Sequence, residues 1–244
     1  DSSLFNNSSV SSSGGKINSE FVQLGNNQFN GILTLEVMRG RLYGNTFHHP
    51  LTLAATVPAT EALYVSIYRP DTFKGETTFI NKGTQNGITL GIQGDNATLF
   101  DTTVFEQKFT FRNDFTTGSA TTVFGNGENS FPAKIIFKGE VFLEGTHSGS
   151  PQPVLSFINA EFRQPVTVKM IGGTVRFGVT NLIPRSVVFN DDLLLDTPGT
   201  QIEFGDSDTK AIMSTASNIS IPAGQMTSGR LRFYKFKSLT TVPQ

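Results

Sequence analysis

The stretch Ile136-Phe137-Lys138-Gly139-Glu140-Val141-Phe142 decides how this chain is read: an apolar pair ends in Phe, a short polar corner follows, and another apolar run begins at once. The phrase returns in Thr78-Phe79-Ile80-Asn81, Thr110-Phe111-Arg112-Asn113-Asp114-Phe115, Ser156-Phe157-Ile158-Asn159-Ala160-Glu161-Phe162 and Val188-Phe189-Asn190-Asp191-Asp192-Leu193. A parallel β-solenoid uses such phrases, because it coils short strands into rungs, turns corners with Asn, Gly or Asp, and stacks equivalent side chains inside. Successive Phe residues of the phrase lie 32, 26, 20 and 32 residues apart, which is rung-sized but not periodic. True repeat families keep their period. Loops inserted into individual rungs would explain the irregularity, and so would coincidence in a chain with 22 Phe.

Outward from these phrases the chain is β throughout. Gly31 to Val37, Ala62 to Tyr68, Val166 to Met170, Thr174 to Val179, Gln201 to Phe204 and Arg230 to Phe236 place Phe, Val, Ile and Thr at a period of two. That alternation puts every second side chain on a buried face. No window sustains helical spacing, and the best candidate, Thr60 to Tyr68, ends in β-rich Tyr-Val-Ser-Ile-Tyr. The expected fold class is all-β, a parallel β-helix (β-solenoid) with loop insertions, and its rungs are most evident at 75–236. The alternative is a β-sandwich or jelly roll, for which Asn86-Gly87, Asn30-Gly31 and Asn126-Gly127 supply hairpin dipeptides. Residues 1–20, rich in Ser, Asn and Gly, read as a flexible or capping N-terminal segment, and 21–244 as a single β-rich domain.

Composition narrows the function. The chain has 244 residues, 19 Lys plus Arg against 20 Asp plus Glu, and a charged fraction of 16%. That balance lacks the basic face nucleic acid requires, so no nucleic-acid partner is expected. No apolar stretch reaches the roughly 20 residues of a membrane span, so no membrane insertion by this segment is expected. Cysteine is absent, which removes thiolate metal sites, Cys nucleophiles and disulfides. The first residue is Asp1 and no signal peptide is visible, as expected of a mature form or a piece of a longer native chain.

The region from about 75 to 236 resembles the right-handed parallel β-helices of bacterial autotransporter-type passengers, adhesins and phage tailspikes, in composition and rhythm. One such passenger family, the chlamydial polymorphic outer-membrane proteins, repeats a Gly-Gly-Ala-aliphatic phrase and a Phe-x-x-Asn phrase. Here Gly14-Gly15-Lys16-Ile17 carries Lys in place of Ala, and Asn follows Phe79, Phe111 and Phe157 by two positions. The resemblance implies a secreted, outer-membrane or cell-surface protein with a role in host or receptor binding and virulence.

The 22 Phe, beside 4 Tyr and no Trp, read as core filling, because Phe has no polar atom to satisfy and its flat rings stack between rungs. An exposed carbohydrate platform would use Trp and Tyr instead. Catalytic candidates are few. His48 and His49 are adjacent, would point to opposite faces of a strand and could not share an ion, and His147 stands in a Gly/Ser loop, so a surface role is expected for all three. Asp191, Asp192 and Asp196, with Asp206 and Asp208, place acids at expected corners, where a β-helix lyase would hold calcium or activate water, with Lys169, Arg176 or Arg185 as base. No accompanying catalytic phrase is present, and solvated turns are the preferred reading. Nucleophile and phosphate-loop motifs do not occur. The basic C-terminal strand, Arg230, Arg232, Lys235 and Lys237 with Phe233, Tyr234 and Phe236, reads as a final strand with Arg230, Arg232 and Tyr234 on its wet side.

The expectation is therefore a non-enzymatic extracellular binding or structural module, part of a bacterial adhesin, secreted passenger or phage fibre. No catalytic residue, metal or cofactor is expected. Its partner is a host-cell receptor or glycan bound by residues not identifiable from sequence, with segments 116–129 and 145–153 as presented loops and a homotrimer as a possible assembly. The alternatives are a polysaccharide lyase or hydrolase on a β-helix, and a viral jelly-roll coat or spike protein.

Overall fold

A computed structural model describes residues 2–6, 9–10, 15–56, 62–82, 86–91, 102–114, 121–125, 134–148, 153–178, 186–197, 199–205, 210–214, 217–222, 229–234 and 236–238. All regular structure among them is β-strand, and every strand pairing is parallel. The chain is a parallel β-helix. Hairpin folds such as the sandwich or jelly roll pair neighbouring strands antiparallel, so they are excluded for these residues. Among the described residues no helix is long and apolar enough to cross a membrane.

Each rung contributes a strand to three ladders. The first ladder is the 10-stranded sheet, running from Ser9–Val10 through Gln28–Phe29, Thr46–Phe47, Thr72–Phe73, Thr102–Phe105, Lys134–Phe137, Ala160–Phe162, Ser186–Phe189 and Lys210–Met213 to Phe236–Ser238. The second comprises residues 15–19 and 33–37, then Leu51–Ala55, Thr77–Asn81, Phe109–Asn113, Val141–Thr146, Val166–Ile171, Leu193–Leu195 and Ile219–Ser220. The third comprises Ser2–Asn6, residues 21–25 and 39–43, then Leu63–Val65, Asn86–Leu90, Thr121–Phe124, Val154–Phe157, Thr174–Phe177, Gln201–Phe204 and Arg230–Phe233. Because Gly15–Gly25 and Leu33–Tyr43 run unbroken through both, the second and third ladders form one 17-stranded sheet.

The edge between the first and second ladders keeps a constant three-residue corner through seven consecutive rungs and lengthens to five residues, 214–218, in the next. Three residues make the corner at 30–32, 48–50, 74–76, 106–108, 138–140, 163–165 and 190–192. These corners bond to one another through backbone, as in Leu33 N to Pro50 O, Leu51 N to Glu76 O, Thr77 N to Lys108 O and Phe109 N to Glu140 O, at 2.9–3.0 Å. A Cβ at Gly75 would strike the backbone of His49, and one at Gly139 that of Gln107, so glycine lets adjacent corners close up. The other two edges carry connections of varied length, and they set the rung size. Successive ladder-one Phe residues 29, 47, 73, 105, 137, 162 and 189 are 18, 26, 32, 32, 25 and 27 residues apart.

Those rings make the core. Phe29, Phe47, Phe73, Phe105, Phe137, Phe162 and Phe189 stack face to face, with centroids 4.5–5.2 Å apart and planes within 17°. A second pile in ladder three, Phe124, Phe157, Phe177, Phe204 and Phe233, has spacings of 5.0–5.5 Å. The two piles meet edge to face, as in Phe157 against Phe162 and Phe177 against Phe189. Parallel pairing fixes this spacing, because in-register backbones about 4.8 Å apart hold identical side chains at ring-stacking distance. The outer face of ladder two carries its own register row, Thr34, Thr52, Thr78 and Thr110, where β-branched side chains suit a half-exposed pleat.

Several sequence expectations change here. Rungs are present ahead of the 75–236 region where the sequence makes them most evident. Ser2–Asn6 pairs with residues 21–25 and Ser9–Val10 with Gln28–Phe29, so the described parts of the N-terminal segment, read as flexible or capping, take part in the ladders. Backbone bonds make a parallel ladder, and polar side chains do not prevent them. Asn86-Gly87 opens a strand instead of a hairpin turn, with Gly87 packed on Thr121 and Thr122 of the next rung. Of the expected loop 116–129, Thr121–Phe124 is a strand whose Phe124 is fully buried, and 116–120 and 126–129 lie outside the described residues. Gly145 and Thr146 end a strand of ladder two, while 149–152 lie outside the described residues.

Phe137 sits mid-pile with neighbours on both sides, so Phe137→Ala should destabilise the fold by about 3–5 kcal/mol. A Phe105/Phe137 double-mutant cycle in denaturant should show coupling of about 0.5–1.5 kcal/mol. Zero coupling would contradict stacking as a stabilising contact.

Candidate functional site

The acidic residues expected at corners do not converge. Asp191 and Asp192 occupy the constant corner before Leu193, while Asp196 follows Leu195 on the next edge. Asp192 accepts at Oδ1 from Asn218 N (2.8 Å), which locks one corner to the next. Asp206, Asp208 and Arg185 lie outside the described residues. Lys169 is exposed on ladder two, and Arg176 is tied to Glu203 at 2.8 Å. Among the described residues no group of three or more His, Asp or Glu could hold a metal ion.

His48 and His49 stand in a corner, not on a strand, and His48 Nε2 meets Gln28 Oε1 at 2.7 Å. His147, expected at the surface, is buried, and its backbone N donates to Ile171 O of the next rung (2.7 Å). On the last described strand of ladder three, Arg232 faces outward to Glu203 (3.1 Å) and Phe233 caps the ring pile on Phe204, as alternation predicts. Lys235 lies outside the described residues.

A different group does converge, on the outer side of ladder three in the early rungs. Strand alternation there turns Leu42 inward and Arg39, Arg41 and Tyr43 outward. Register sets Gln23, Arg41, Tyr64 and Thr89 in one row and Gly25 beside Tyr43 in the next. A Cβ at Gly25 would enter the Tyr43 ring, so the missing side chain is what lets that ring lie across the strand. Tyr68 meets Tyr43 edge to face at 5.5 Å. Gln23 Nε2 donates to the Tyr43 hydroxyl (3.2 Å), Arg41 Nη1 to the Tyr68 hydroxyl (3.3 Å), and Arg69 Nη1 to Asn26 Oδ1 (3.1 Å). Arg41, Tyr68 and Arg69 are exposed.

Tyr68 and Arg69 are presented by the connection 66–71, which replaces the two-residue turns 26–27 and 44–45 of the preceding rungs. Its anchor is Asp71, fully buried. Oδ2 accepts from Ser66 N (2.8 Å) and Ser66 Oγ (2.9 Å), while Oδ1 accepts from Asn45 N (2.7 Å) and Asn45 Nδ2 (2.9 Å). These bonds hold Ser66 at φ 56°, a conformation few non-Gly residues adopt. Asn45 in turn accepts from Asn27 N and Nδ2 at 3.1 Å, so three successive rungs share one buried polar column. Burial pushes the Asp71 carboxyl up to about 6, against the pull of its hydrogen bonds with Asn45 and Ser66.

This face was missed from sequence because its members are joined by register, not by spacing. The visible signal was that three of the four tyrosines fall at residues 43–68, in Arg41-Leu42-Tyr43 and Tyr64-Val65-Ser66-Ile67-Tyr68-Arg69. Compared with known proteins, the chain matches no family model, no curated protein and no solved structure.

An acid whose carboxyl is raised on folding contributes stability that is present in full below about pH 4 and lost as pH rises through about 6. The Asp71 contribution should thus decline by on the order of 3 kcal/mol across that window. Glu161 is shifted the other way: burial raises it, but bonds to Lys134 and Arg163 outweigh this, and its contribution is lost only as pH falls below the ordinary carboxylate range. Unfolding free energies of wild type and Asp71→Asn between pH 4 and 7 should diverge, with wild type relatively weaker at pH 7. A pH-independent difference would refute the raised carboxyl.

Proposed function

We propose that this chain is a non-enzymatic binding and structural module that works outside the cell or at a cell surface, as in adhesins, secreted passengers or phage fibres. The observation that carries the reading is the Tyr/Arg face. Aromatic rings and guanidinium groups are the side chains most enriched where surfaces bind. Here they stand on a backbone ladder that cannot rearrange without breaking rung-to-rung bonds. A stiff coil gives such a face a fixed geometry, and its two edges of varied connection length leave room for further contacts. The partner in this reading is a receptor or glycan on another surface.

The test is a screen of the purified chain against a glycan array and intact cells, beside an assay for cleavage of polygalacturonate with and without calcium. Saturable binding without turnover is the expected outcome. Turnover abolished by Asp191→Ala would replace this reading with the lyase alternative.

A further inference from the structure

Resting on that proposed function, we infer that the Gln23, Arg41, Tyr43, Tyr64, Tyr68 and Arg69 face binds an anionic saccharide, with the guanidinium groups of Arg41 and Arg69 taking its carboxylate or sulfate groups and the tyrosine rings its sugar faces.

The first support is charge that its neighbours do not neutralise. Many cations elsewhere meet acids: Lys16 and Lys82 meet Glu36, Lys134 and Arg163 meet Glu161, Arg176 and Arg232 meet Glu203, and Arg112 meets Asp114, while Lys74, Lys108 and Lys169 stand singly on other parts of the surface instead of converging as Arg41 and Arg69 do. Among the described residues neither Arg41 nor Arg69 pairs with a carboxylate; each donates from Nη1 to a neutral oxygen, the Tyr68 hydroxyl or Asn26 Oδ1. A guanidinium carries five N–H donors in a planar fork that fits a carboxylate or sulfate edge, so most of that capacity remains for a ligand. Of the described acids near this face in sequence, Asp71 is buried and turned onto Ser66 and Asn45, and Glu20 is engaged by Arg39 at 3.5 Å.

The second support is the aromatic surface between the two guanidinium groups. Tyr43 and Tyr68 meet at 74°, which makes a bent wall instead of a closed stack and leaves ring area open, and Tyr68 is 45% exposed. Tyrosine offers an apolar face to C–H groups and a hydroxyl to ring oxygens, and only two torsions are lost on binding. A saccharide needs this mixture. A nucleic acid would demand the extended positive field that a net charge of -1 does not provide.

The third support is preorganisation. Gly25 seats Tyr43, the Arg41 bond orients Tyr68, and Asp71 closes the connection that carries Tyr68 and Arg69. Asp71 touches no ligand in this arrangement; it is a positioning residue.

The full chain is titrated calorimetrically with polygalacturonate, dextran sulfate and neutral dextran, the first two separating carboxylate from sulfate recognition. Binding of at least one polyanion, none of neutral dextran, and weakening as salt rises from about 0.05 to about 0.5 M are expected. Arg41→Gln and Tyr68→Ala, both exposed and so tolerated by the fold, should each weaken binding roughly tenfold, which is about 1.4 kcal/mol. Gly25→Ala should weaken it by displacing the Tyr43 ring, while Lys138→Gln on the distant constant corner should not. Equal binding of neutral dextran, unaltered binding by Arg41→Gln, no binding of either polyanion, or tighter binding of polyuridylate than of both would overturn the inference. Cell binding measured in parallel separates the two levels: cells bound equally by wild type and Arg41→Gln sink this site alone, and cells not bound at all sink the proposed function.

Discussion

The structure depends on parallel in-register pairing between consecutive rungs. Once backbones are held about 4.8 Å apart, any side chain at a given rung position must tolerate a copy of its neighbour directly above. Phenylalanine satisfies that condition better than most residues, since flat rings stack at nearly that spacing and leave no donor or acceptor to bury. The seven rings from Phe29 to Phe189 and the pile from Phe124 to Phe233 follow from it, and their edge-to-face contact closes the interior between ladders. The same constraint acts outside. Ion pairs such as Arg176, Glu203 and Arg232 are vertical, because neighbours on a lateral face are a rung apart and not a helix turn apart.

Polar interior positions obey the rule as well. The position two residues before each stacked Phe of ladder one is Asn27, Asn45 and Asp71 in early rungs, then Thr103, Ile135, Ala160 and Val187. A buried amide or carboxylate is tolerated only with its bonding capacity satisfied, so the column works as a unit or is replaced outright by apolar side chains. Asp71 is where the column stops, and there the connection lengthens into 66–71. Buried polarity, a non-Gly residue at positive φ and the presentation of Tyr68 and Arg69 are thus parts of one local arrangement.

Much of the fold was legible in the chain. Period-two alternation, early corners and Phe without Trp all point to short strands stacked in parallel. The period was not, for a definite reason: the recurring phrase mixes ladders. Phe79 and Phe111 belong to the second, Phe137 and Phe189 to the first, and Phe157 to the third, so their spacings compare different parts of the rung. Counting only the Phe before each three-residue corner recovers the coil. The candidate face was far less legible. Its residues span Gln23 to Arg69 with no repeat of their own, and the acids that looked suggestive, Asp191, Asp192 and Asp196, are divided between two edges by a three-residue strand.

By itself, the sequence determined that the chain would be β throughout, that rings would fill its interior and that no thiolate chemistry was available, because these follow from local alternation and from which side chains exist. Only the tertiary structure decided that Ser2–Asn6 joins the ladders, which phenylalanines share a pile, and that Arg41, Tyr43, Tyr64, Tyr68 and Arg69 meet on one face. Those facts depend on how many residues each connection spends between strands, and connection length sets register across rungs without leaving a local trace in hydrophobic pattern.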